Sequence, residues 1–442
     1  MRYFTALLLF TYFVLSGYTI SENYEGAANM AGRITAADML AVVMAVFGVV
    51  TLRKVVFTSE HFSYMCFLAL ALVGVFGARN PAAGAVELIA LAFNWSVSLA
   101  LLNLIINNRQ VEIGTVVRLF VLGSTILAMA GLVQFFLIPN LFAEKSGGAV
   151  TGTFRNTGQA GAFFGVALAV AIPALMSGLI KRNALNITAI AITLTALLFT
   201  FKRAALIGLA IGVLLFAFRL AFSGSGRDRK VAVGFLLICL FAGPALYLLF
   251  QYSIENVASM RWRFEHKFRE DALEDFSEGF LADNITATFL ALNDHPLLGA
   301  GLGNIIGQYT TKYEIHSTYL AVLANTGLLG MALYLTFMGV WVAGLFKYSG
   351  KATVEERFLS YFMPFLVGLG VSWIYTYHLR KREFWIMFVF TLVCSHVVKK
   401  ARAARRRETV LRSGMTPPMS HYQPMGWPSE ATAGRAIRQQ WR

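Results

Sequence analysis

The sequence predicts an all-α polytopic membrane protein, with about twelve transmembrane helices and one long, partly helical loop outside the cytoplasm. Of its 442 residues, 57% are hydrophobic and only 14% are charged, whereas soluble proteins contain roughly 25% charged residues. The hydrophobic residues form continuous runs of about 17 to 25 residues, the length that crosses ~30 Å of hydrocarbon. Because these runs do not alternate with polar residues, they exclude a transmembrane β-barrel.

Hydropathy places the predicted spans near residues 3–20, 36–57, 62–78, 82–106, 115–138, 157–180, 185–201, 204–222, 231–250, 318–346, 359–377 and 383–398. The first run is longer than the apolar core of a usual signal peptide and begins a series of spans, so we interpret it as a helix. An even number of spans puts both termini on one side, and the basic C-terminal tail indicates that this side is the cytoplasm.

The spans divide the chain into four segments. Residues 1–250 hold spans one to nine, residues 251–317 form the long external loop, residues 318–398 hold spans ten to twelve, and residues 399–442 form a basic tail that we predict to be disordered. The tail carries ten Lys or Arg and two Glu, and so contributes much of the net charge of +15. Basic segments beside a span stay in the cytoplasm and meet anionic lipid there, so we expect membrane lipid and not nucleic acid as the partner.

The external loop has a composition of its own. It holds ten acidic and five basic residues, a net charge of −5. Phe264, Phe268, Phe276 and Phe280 recur at multiples of four beside charged residues, which predicts an amphipathic helix lying on the membrane. A loop of this length is more often functional than connective.

A histidine stands where the loop re-enters the membrane. On an uninterrupted helix, His316, Gly327 and Gly330 would share one face, and glycines on that face would allow a neighbouring span to approach closely. At a helix N-terminus the dipole favours a neutral imidazole, which is what a general base requires. The alternative is an interfacial histidine that only caps the helix together with Ser317.

Several basic residues fall on the outer side, against the usual distribution of charge. They are Arg155, Lys202 with Arg203, and the run 380–382. Singly, each of the first three could reach to lipid phosphates. Together with His316 they indicate a site for a multiply charged anion, because guanidinium groups match phosphate oxygens. The run 380–382 could bind an anionic lipid, or the last two spans could be placed differently.

The segment His295–Asn304 contains alternating glycines, at Gly299, Gly301 and Gly303. It lacks the spacing and the βαβ setting of a dinucleotide-binding loop. We expect it to form a tight turn against the membrane. His295 precedes a proline that ends a helix, and we interpret it as structural.

These motifs resemble those of the O-antigen ligase and polymerase superfamily. The stretches HPLLGAGLGN and HSTYLAVLANTGLLG are similar to its signature, a long periplasmic loop that ends in H-[NSQ]-x9-G-x2-G, with matches at His316, Ser317, Gly327 and Gly330. GTFRNTGQAGAFFG and FKRAALIGL resemble two further segments of the superfamily. One arginine that usually opens the helix before the histidine motif has no counterpart here, and Arg261, Arg263 or Arg269 could replace it.

The resemblance implies a bacterial inner-membrane glycosyltransferase with a periplasmic active site. Within the superfamily, the chain looks most like the ligase that moves a polysaccharide from undecaprenyl diphosphate to a sugar hydroxyl of lipid A–core, with inversion. His316 would be the general base. Arg155, Lys202 and Arg203, with Arg261 or Arg263, would hold the diphosphate. We expect no metal and no cofactor.

Other functions compete with this interpretation. A polymerase or a protein O-oligosaccharyltransferase of the same superfamily would use the same donor and another acceptor. A metal-dependent transferase could bind an ion at Glu22 and Glu25 of the first outer loop. A transporter of lipid-linked glycans would suit twelve spans, but the outer-face cations and the absence of a visible repeat argue against it.

Overall fold

The computed structural model describes residues 2–18, 35–50, 54–108, 111–138, 149–222, 281–310 and 314–412, together with single positions between 223 and 280. The chain divides into two compact units, residues 1–398 and 399–442. The described residues contain no β-strand, and the β-type contact among them is an isolated bridge between Ile306 and Thr310. The all-α prediction is confirmed for this part of the chain.

Twelve helices fall within the described residues. They are α1 (Arg2–Leu15), α2 (Ala36–Val50), α3 (Ser59–Phe76), α4 (Pro81–Asn107), α5 (Ile113–Phe136), α6 (Thr157–Ser177), α7 (Ala184–Phe199), α8 (Arg203–Phe222), α9 (Ala282–Asp294), α10 (Thr318–Tyr348), α11 (Val354–Ser372) and α12 (Arg382–Arg412). All except α9, which lies in the predicted external loop, coincide with predicted spans.

Seven of the described helices are long and apolar enough to cross a membrane. The chain is therefore a multi-pass membrane protein, while the number of twelve spans stays a prediction. The ninth predicted span, 231–250, lies outside the described residues apart from single positions. Most of the predicted amphipathic helix at 264–280 lies outside them as well.

Asparagine side chains begin three of the helices. Asn80, Asn156 and Asn183 each accept a hydrogen bond from the backbone N–H three residues further on, at the starts of α4, α6 and α7. A cap of this kind typically stabilises a helix by about 1 kcal/mol. Because hydrocarbon offers no replacement for water, these bonds also satisfy N–H groups at the ends of the spans.

Helix α6 is the centre of the bundle and is buried along nearly its whole length. It packs against α5, α7, α8 and α11. The closest crossing in the neighbourhood is that of α8 with α11, where Gly208 and Gly368 bring the two backbones together: a Cβ on Gly208 would lie 2.7 Å from the Gly368 carbonyl oxygen. Small residues at a crossing are what brings transmembrane helices into direct contact.

The two ends of α6 mark the two ends of the bundle. At its C-terminus, the Arg182 guanidinium donates to the carbonyls of Leu175 and Met176, and Arg357 donates to that of Ser177. Cations favour the negative end of a helix dipole. Both arginines belong to loops predicted to be cytoplasmic. At the opposite end, which we call the loop end, the N-terminus of α6 meets the α7–α8 turn, whose Lys202 lies close enough to His316 to affect its charge.

Candidate active site

His316 lies at the loop end, immediately before α10. Residues 314–317 are non-helical, and the Ser317 hydroxyl caps the helix by accepting a hydrogen bond from the backbone N–H of Leu320 at 3.4 Å. Ser317 is buried, whereas His316 is exposed. The structure therefore places the histidine at a helix start, as predicted, with an accessible ring beside a fixed backbone.

Thr318 anchors the start of α10 to the connection between α11 and α12. Its backbone N–H donates to the carbonyl of Trp373 at 2.9 Å, and its hydroxyl donates to the carbonyl of Thr376 at 2.6 Å. The same oxygen lies 2.7 Å from Nδ1 of His378, which stacks on Trp373. Two residues after His316, the chain is thus held by three contacts to residues more than fifty positions away.

The surroundings of His316 keep its ring neutral. Partial burial lowers the pKa of His316, and the positive charges of Lys202, Lys381 and Arg380 lower it further, while Glu314 opposes them. The pKa therefore lies below its ordinary value of 6.5, and the neutral imidazole, which can accept a proton, predominates at pH 7. The sequence suggested that the helix dipole keeps the ring neutral, whereas in the structure burial and the neighbouring side chains lower its pKa.

Lys202 reaches this site from the turn between α7 and α8. Phe201, immediately before it, adopts a left-handed conformation with φ of 52°, which is uncommon for a bulky residue and strained. The Lys202 side chain then packs over the first turn of α6. A Cβ on Gly161 would collide with the Lys202 side chain, and the Lys202 ammonium lies 3.8 Å from the Cβ position of Gly158. The small residues of the segment GTFRNTGQAGAFFG thus make room for a lysine.

Arg155 and Arg203 lie at the same end of the bundle. Arg155 is half-buried and directly precedes Asn156, the N-cap of α6, and Arg203 is the first residue of α8. The N-terminus of α6, the N-terminus of α8 and the Lys202 side chain therefore lie at the same end of the bundle. Such N-termini favour anions through their N–H groups and their dipoles.

The loop arginines Arg261 and Arg263, unlike Arg155 and Arg203, are not located at this end of the bundle by the described residues. Arg261 is exposed, and its guanidinium donates to the backbone carbonyl of Glu255 at 2.7 Å. Arg263 lies outside the described residues. Nothing in the described part of the chain brings either of them to His316, so their role in phosphate binding stays a prediction.

The basic run 380–382, which the sequence left unassigned, separates into three environments. Arg380 binds the carboxylates of Glu87 and Glu314, the latter at 2.8 Å. Lys381 contributes to the electrostatic environment of His316. Arg382 binds Asp38 at the start of α2 with two hydrogen bonds, of 3.0 and 2.7 Å. Sequence reasoning missed Glu87 and Glu314. The signal for Glu87 was present, because it is the lone charged residue of α4 and a charge in a span demands a partner.

Helix α10 is broken at Gly327, contrary to the continuous helix assumed from the sequence. Gly327 has φ of 65° and ψ of −165°, a conformation that is essentially restricted to glycine. The face shared by His316, Gly327 and Gly330 therefore does not exist as predicted. Gly330 instead gives space to the Thr326 side chain of its own helix.

The glycine-rich segment 296–301 fills this break. The N–H groups of Ala300 and Gly301 donate to the carbonyls of Ala324 and Asn325, at 2.9 and 3.1 Å. From the other side of the break, the N–H groups of Leu328 and Leu329 donate to the carbonyls of Pro296 and Leu297. Four backbone groups that the break frees are thus satisfied by the loop. The close approach that the glycines permit is made by loop backbone and not by a neighbouring span.

The same loop also contacts the α3–α4 turn. A Cβ on Gly301 would lie 2.5 Å from that of Ala78, and the Asn304 side chain exchanges hydrogen bonds with the backbone N–H and carbonyl of Asn80, at 2.7 and 3.2 Å. The prediction of tight turns is confirmed, since Gly299, Gly301 and Gly303 all have positive φ. The turns lie against protein in the described part of the chain.

No group of three or more His, Cys, Asp or Glu suited to a metal ion occurs among the described residues. Glu22 and Glu25, the ligands of the metal-dependent alternative, lie outside them.

Residues 188–335 match a protein-family profile described as O-antigen ligase. The match includes Lys202, Arg203, His316 and the glycines at the break of α10. The match supports membership of the O-antigen ligase and polymerase superfamily. This is a family of glycosyltransferase-type membrane enzymes, whose partners are lipid-linked glycans and membrane lipids. Comparison with curated protein sequences gives no match. Arg155 and the run 380–382 lie outside the matched residues, so the candidate site of this superfamily member draws on more of the chain than the profile covers.

Proposed function

We propose that the protein is an O-antigen ligase, which transfers a polysaccharide from undecaprenyl diphosphate to a sugar hydroxyl of lipid A–core at the periplasmic face of the inner membrane. The observation that carries the proposal is an exposed His316 at a helix start, with Lys202 and Lys381 near enough for their charges to lower the pKa of its ring. A base surrounded by cations suits a reaction in which a hydroxyl loses a proton while a diphosphate leaves.

In the proposed reaction, one ring nitrogen of His316 accepts the proton of the acceptor hydroxyl. The hydroxyl oxygen attacks the anomeric carbon of the donor sugar, and the bond from that carbon to the diphosphate oxygen breaks. Undecaprenyl diphosphate departs with one further negative charge. A single displacement of this kind inverts the anomeric centre.

The departing charge needs cations in place before the reaction. We propose that Arg155, Lys202 and Arg203 supply them, together with Lys381, whose charge also acts on His316. Positive side chains fixed beside the leaving group can do the work that Mg²⁺ does in other phosphate-handling enzymes. We therefore expect transfer to continue in the presence of a chelator, whereas a metal site at Glu22 and Glu25 would make it stop.

The first test is a transfer assay with purified protein, an undecaprenyl-diphosphate-linked glycan and lipid A–core. His316→Ala should lower the transfer rate by ~10²- to 10⁴-fold, the usual effect of losing one acid–base group. His295→Ala is the matched control, because His295 is also exposed at the loop end and contributes backbone hydrogen bonds only. Full activity of the folded His316 variant would refute the general base.

The acceptor and the class of protein are tested in the same assay. Replacing lipid A–core by a second donor glycan, or by a pilin-like protein, separates the ligase from a polymerase and from a protein O-oligosaccharyltransferase. Movement of the donor across proteoliposome membranes without a new glycosidic bond would support a transporter and contradict the proposal.

A further inference from the structure

Arg380 holds two carboxylates at once in the connection between α11 and α12. Its Nε donates to Glu87 of α4, which is 3% exposed, and its terminal nitrogen donates to Glu314 at 2.8 Å. The guanidinium also lies over the ring of Tyr377, 5.2 Å from its centre, and the Arg380 carbonyl accepts a hydrogen bond from Asn94. Arg380 is therefore fixed on several sides before it meets Glu314.

Glu314 stands two residues before His316, in the non-helical segment that carries the histidine. Two residues after His316, Thr318 is bound to Trp373, Thr376 and His378. The α11–α12 connection thus contacts the chain on both sides of His316. Downstream, at Thr318, the contacts are hydrogen bonds to backbone and imidazole groups. Upstream, at Glu314, the contact is an ion pair.

We propose that the Arg380–Glu314 pair positions His316 for proton transfer, that the Glu314 carboxylate stabilises the imidazolium that forms there, and that buried Glu87 holds Arg380 in place. The inference rests on the proposed function and extends it to residues outside the family match. Glu314 and Arg380 are positioning residues, since the proton goes from the acceptor hydroxyl to the histidine and not to the carboxylate.

The charges around the ring show why such a carboxylate matters. Lys202 from the α7–α8 turn, and Arg380 and Lys381 from the α11–α12 connection, all disfavour a positive His316. Glu314 opposes them and raises the pKa of His316. A base among three cations would be neutral but weak. When the ring gains a proton, the Glu314 carboxylate offsets part of the repulsion between the imidazolium and these cations.

The test compares Glu314→Gln with wild type. Without the carboxylate the pKa of His316 falls, so the acid side of the pH–rate profile should move to lower pH. At the plateau kcat should fall by on the order of tenfold or more, since misplacing a catalytic group by ~1 Å can cost ~10²-fold, and KM for the donor should stay near the wild-type value. An unchanged acid limb together with an unchanged kcat would overturn the proposal.

Arg380→Lys tests the geometry separately from the charge. Lysine keeps the positive charge but lacks the fork that can bind two carboxylates, so kcat should fall while the acid limb moves little. Arg382→Lys is the matched control, because it alters the neighbouring pair with Asp38 in the same way and should leave both quantities unchanged. Equal losses in the two lysine variants would reduce Arg380 to a structural residue.

A measurement that needs no transfer activity separates this inference from the proposed function. Diethyl pyrocarbonate modifies neutral imidazoles, so the pH dependence of its reaction with His316, followed by peptide mass spectrometry, reports the titration of that ring. In Glu314→Gln the midpoint should move to lower pH even if the protein is not a ligase. An unmoved midpoint in the folded variant contradicts the inference. Full transfer by His316→Ala together with a moved midpoint contradicts the general-base role and leaves only the electrostatic coupling of Glu314 to His316.

Discussion

Lys202 and His316 are more than a hundred residues apart in the sequence, and yet the charge of the lysine adds to the effect of burial in lowering the pKa of the histidine. The lysine is brought to the ring by a strained turn at Phe201 and by the missing side chain of Gly161. Its ammonium lowers the pKa of His316. One residue can therefore serve both halves of the proposed reaction, by keeping the base neutral and by holding the diphosphate.

This coupling predicts the pH dependence of transfer. A general base loses activity as the pH falls through its pKa, and partial burial and the cations put that pKa below 6.5, so half-maximal activity should lie below pH 6.5. In Lys202→Met one of those cations is gone, the pKa of His316 rises, and the acid limb should move to higher pH. The measurement is kcat against pH, with Lys347→Met at the other end of α10 as a control. An acid limb that moves to lower pH, or does not move, contradicts the effect of Lys202 on the pKa of His316.

The residues of the site were predictable to very different degrees. His316 could be found because its motif is local, and Lys202 and Arg203 because cations on the outer side break a general rule of topology. The pair of Glu87 with Arg380 spans 293 positions, and no local pattern connects them. The sequence shows that a charge in α4 needs a partner, and only the fold shows which one.

At the scale of a helix, α10 shows how a break can be stabilised inside a membrane protein. Interrupting a helix frees backbone N–H and carbonyl groups, which are costly to leave unpaired in hydrocarbon. Here four of them bond to the segment 296–301. The glycines of that loop and of the helix are required on both sides, because a Cβ at Gly299 or Gly327 would collide with the opposing backbone.

Gly327→Ala should therefore destabilise the protein. Alanine is unfavourable at the observed φ and ψ by about 1–3 kcal/mol, and its Cβ would lie 2.6 Å from the backbone nitrogen of Gly299. We expect a lower midpoint of thermal unfolding in detergent and a lower transfer rate. Gly339→Ala on the same helix is the control, since that position meets open space and alanine improves helix propensity by up to ~1 kcal/mol. If both variants unfold at the wild-type temperature, the break does not contribute to stability.

The helices themselves follow closely from apolar runs and from caps such as Asn80 and Asn156, because both signals are local. The break at Gly327 could not be derived in the same way. Glycine within a helical pattern is compatible with close packing, with a kink or with neither, and the choice depended on a loop almost thirty residues earlier. For this reason His316 and Gly330 do not share the predicted helix face.

The predicted distribution of charge and the packing around α6 both distinguish two ends of the helix bundle. Arg182 and Arg357 cap the C-terminus of α6, and His316 and Lys202 lie toward its N-terminus. The predicted cytoplasmic loops and the predicted outer site are thus separated by the length of a buried helix. The assignment of these ends to the two sides of the inner membrane is a prediction.

Cysteine labelling can test that assignment. In a background where Cys66, Cys239 and Cys394 are replaced by serine, Asn293→Cys at the loop end should react with a membrane-impermeant maleimide in intact spheroplasts. Ala352→Cys between α10 and α11 should react only after the membrane is opened. Both positions are exposed, so access across the bilayer decides the result. The reverse pattern would place the proposed site in the cytoplasm and exclude a periplasmic ligase.

The contact of Gly208 with Gly368 restricts how the isoprenoid tail of a donor could enter. Helix α8 carries Arg203 at its start, and α11 leads into the segment with Arg380 and Lys381. Because the two backbones touch at this crossing, no hydrocarbon chain fits between them there. If the proposed donor binds beside Arg203 and Lys381, its isoprenoid tail must therefore enter between other helices of the bundle.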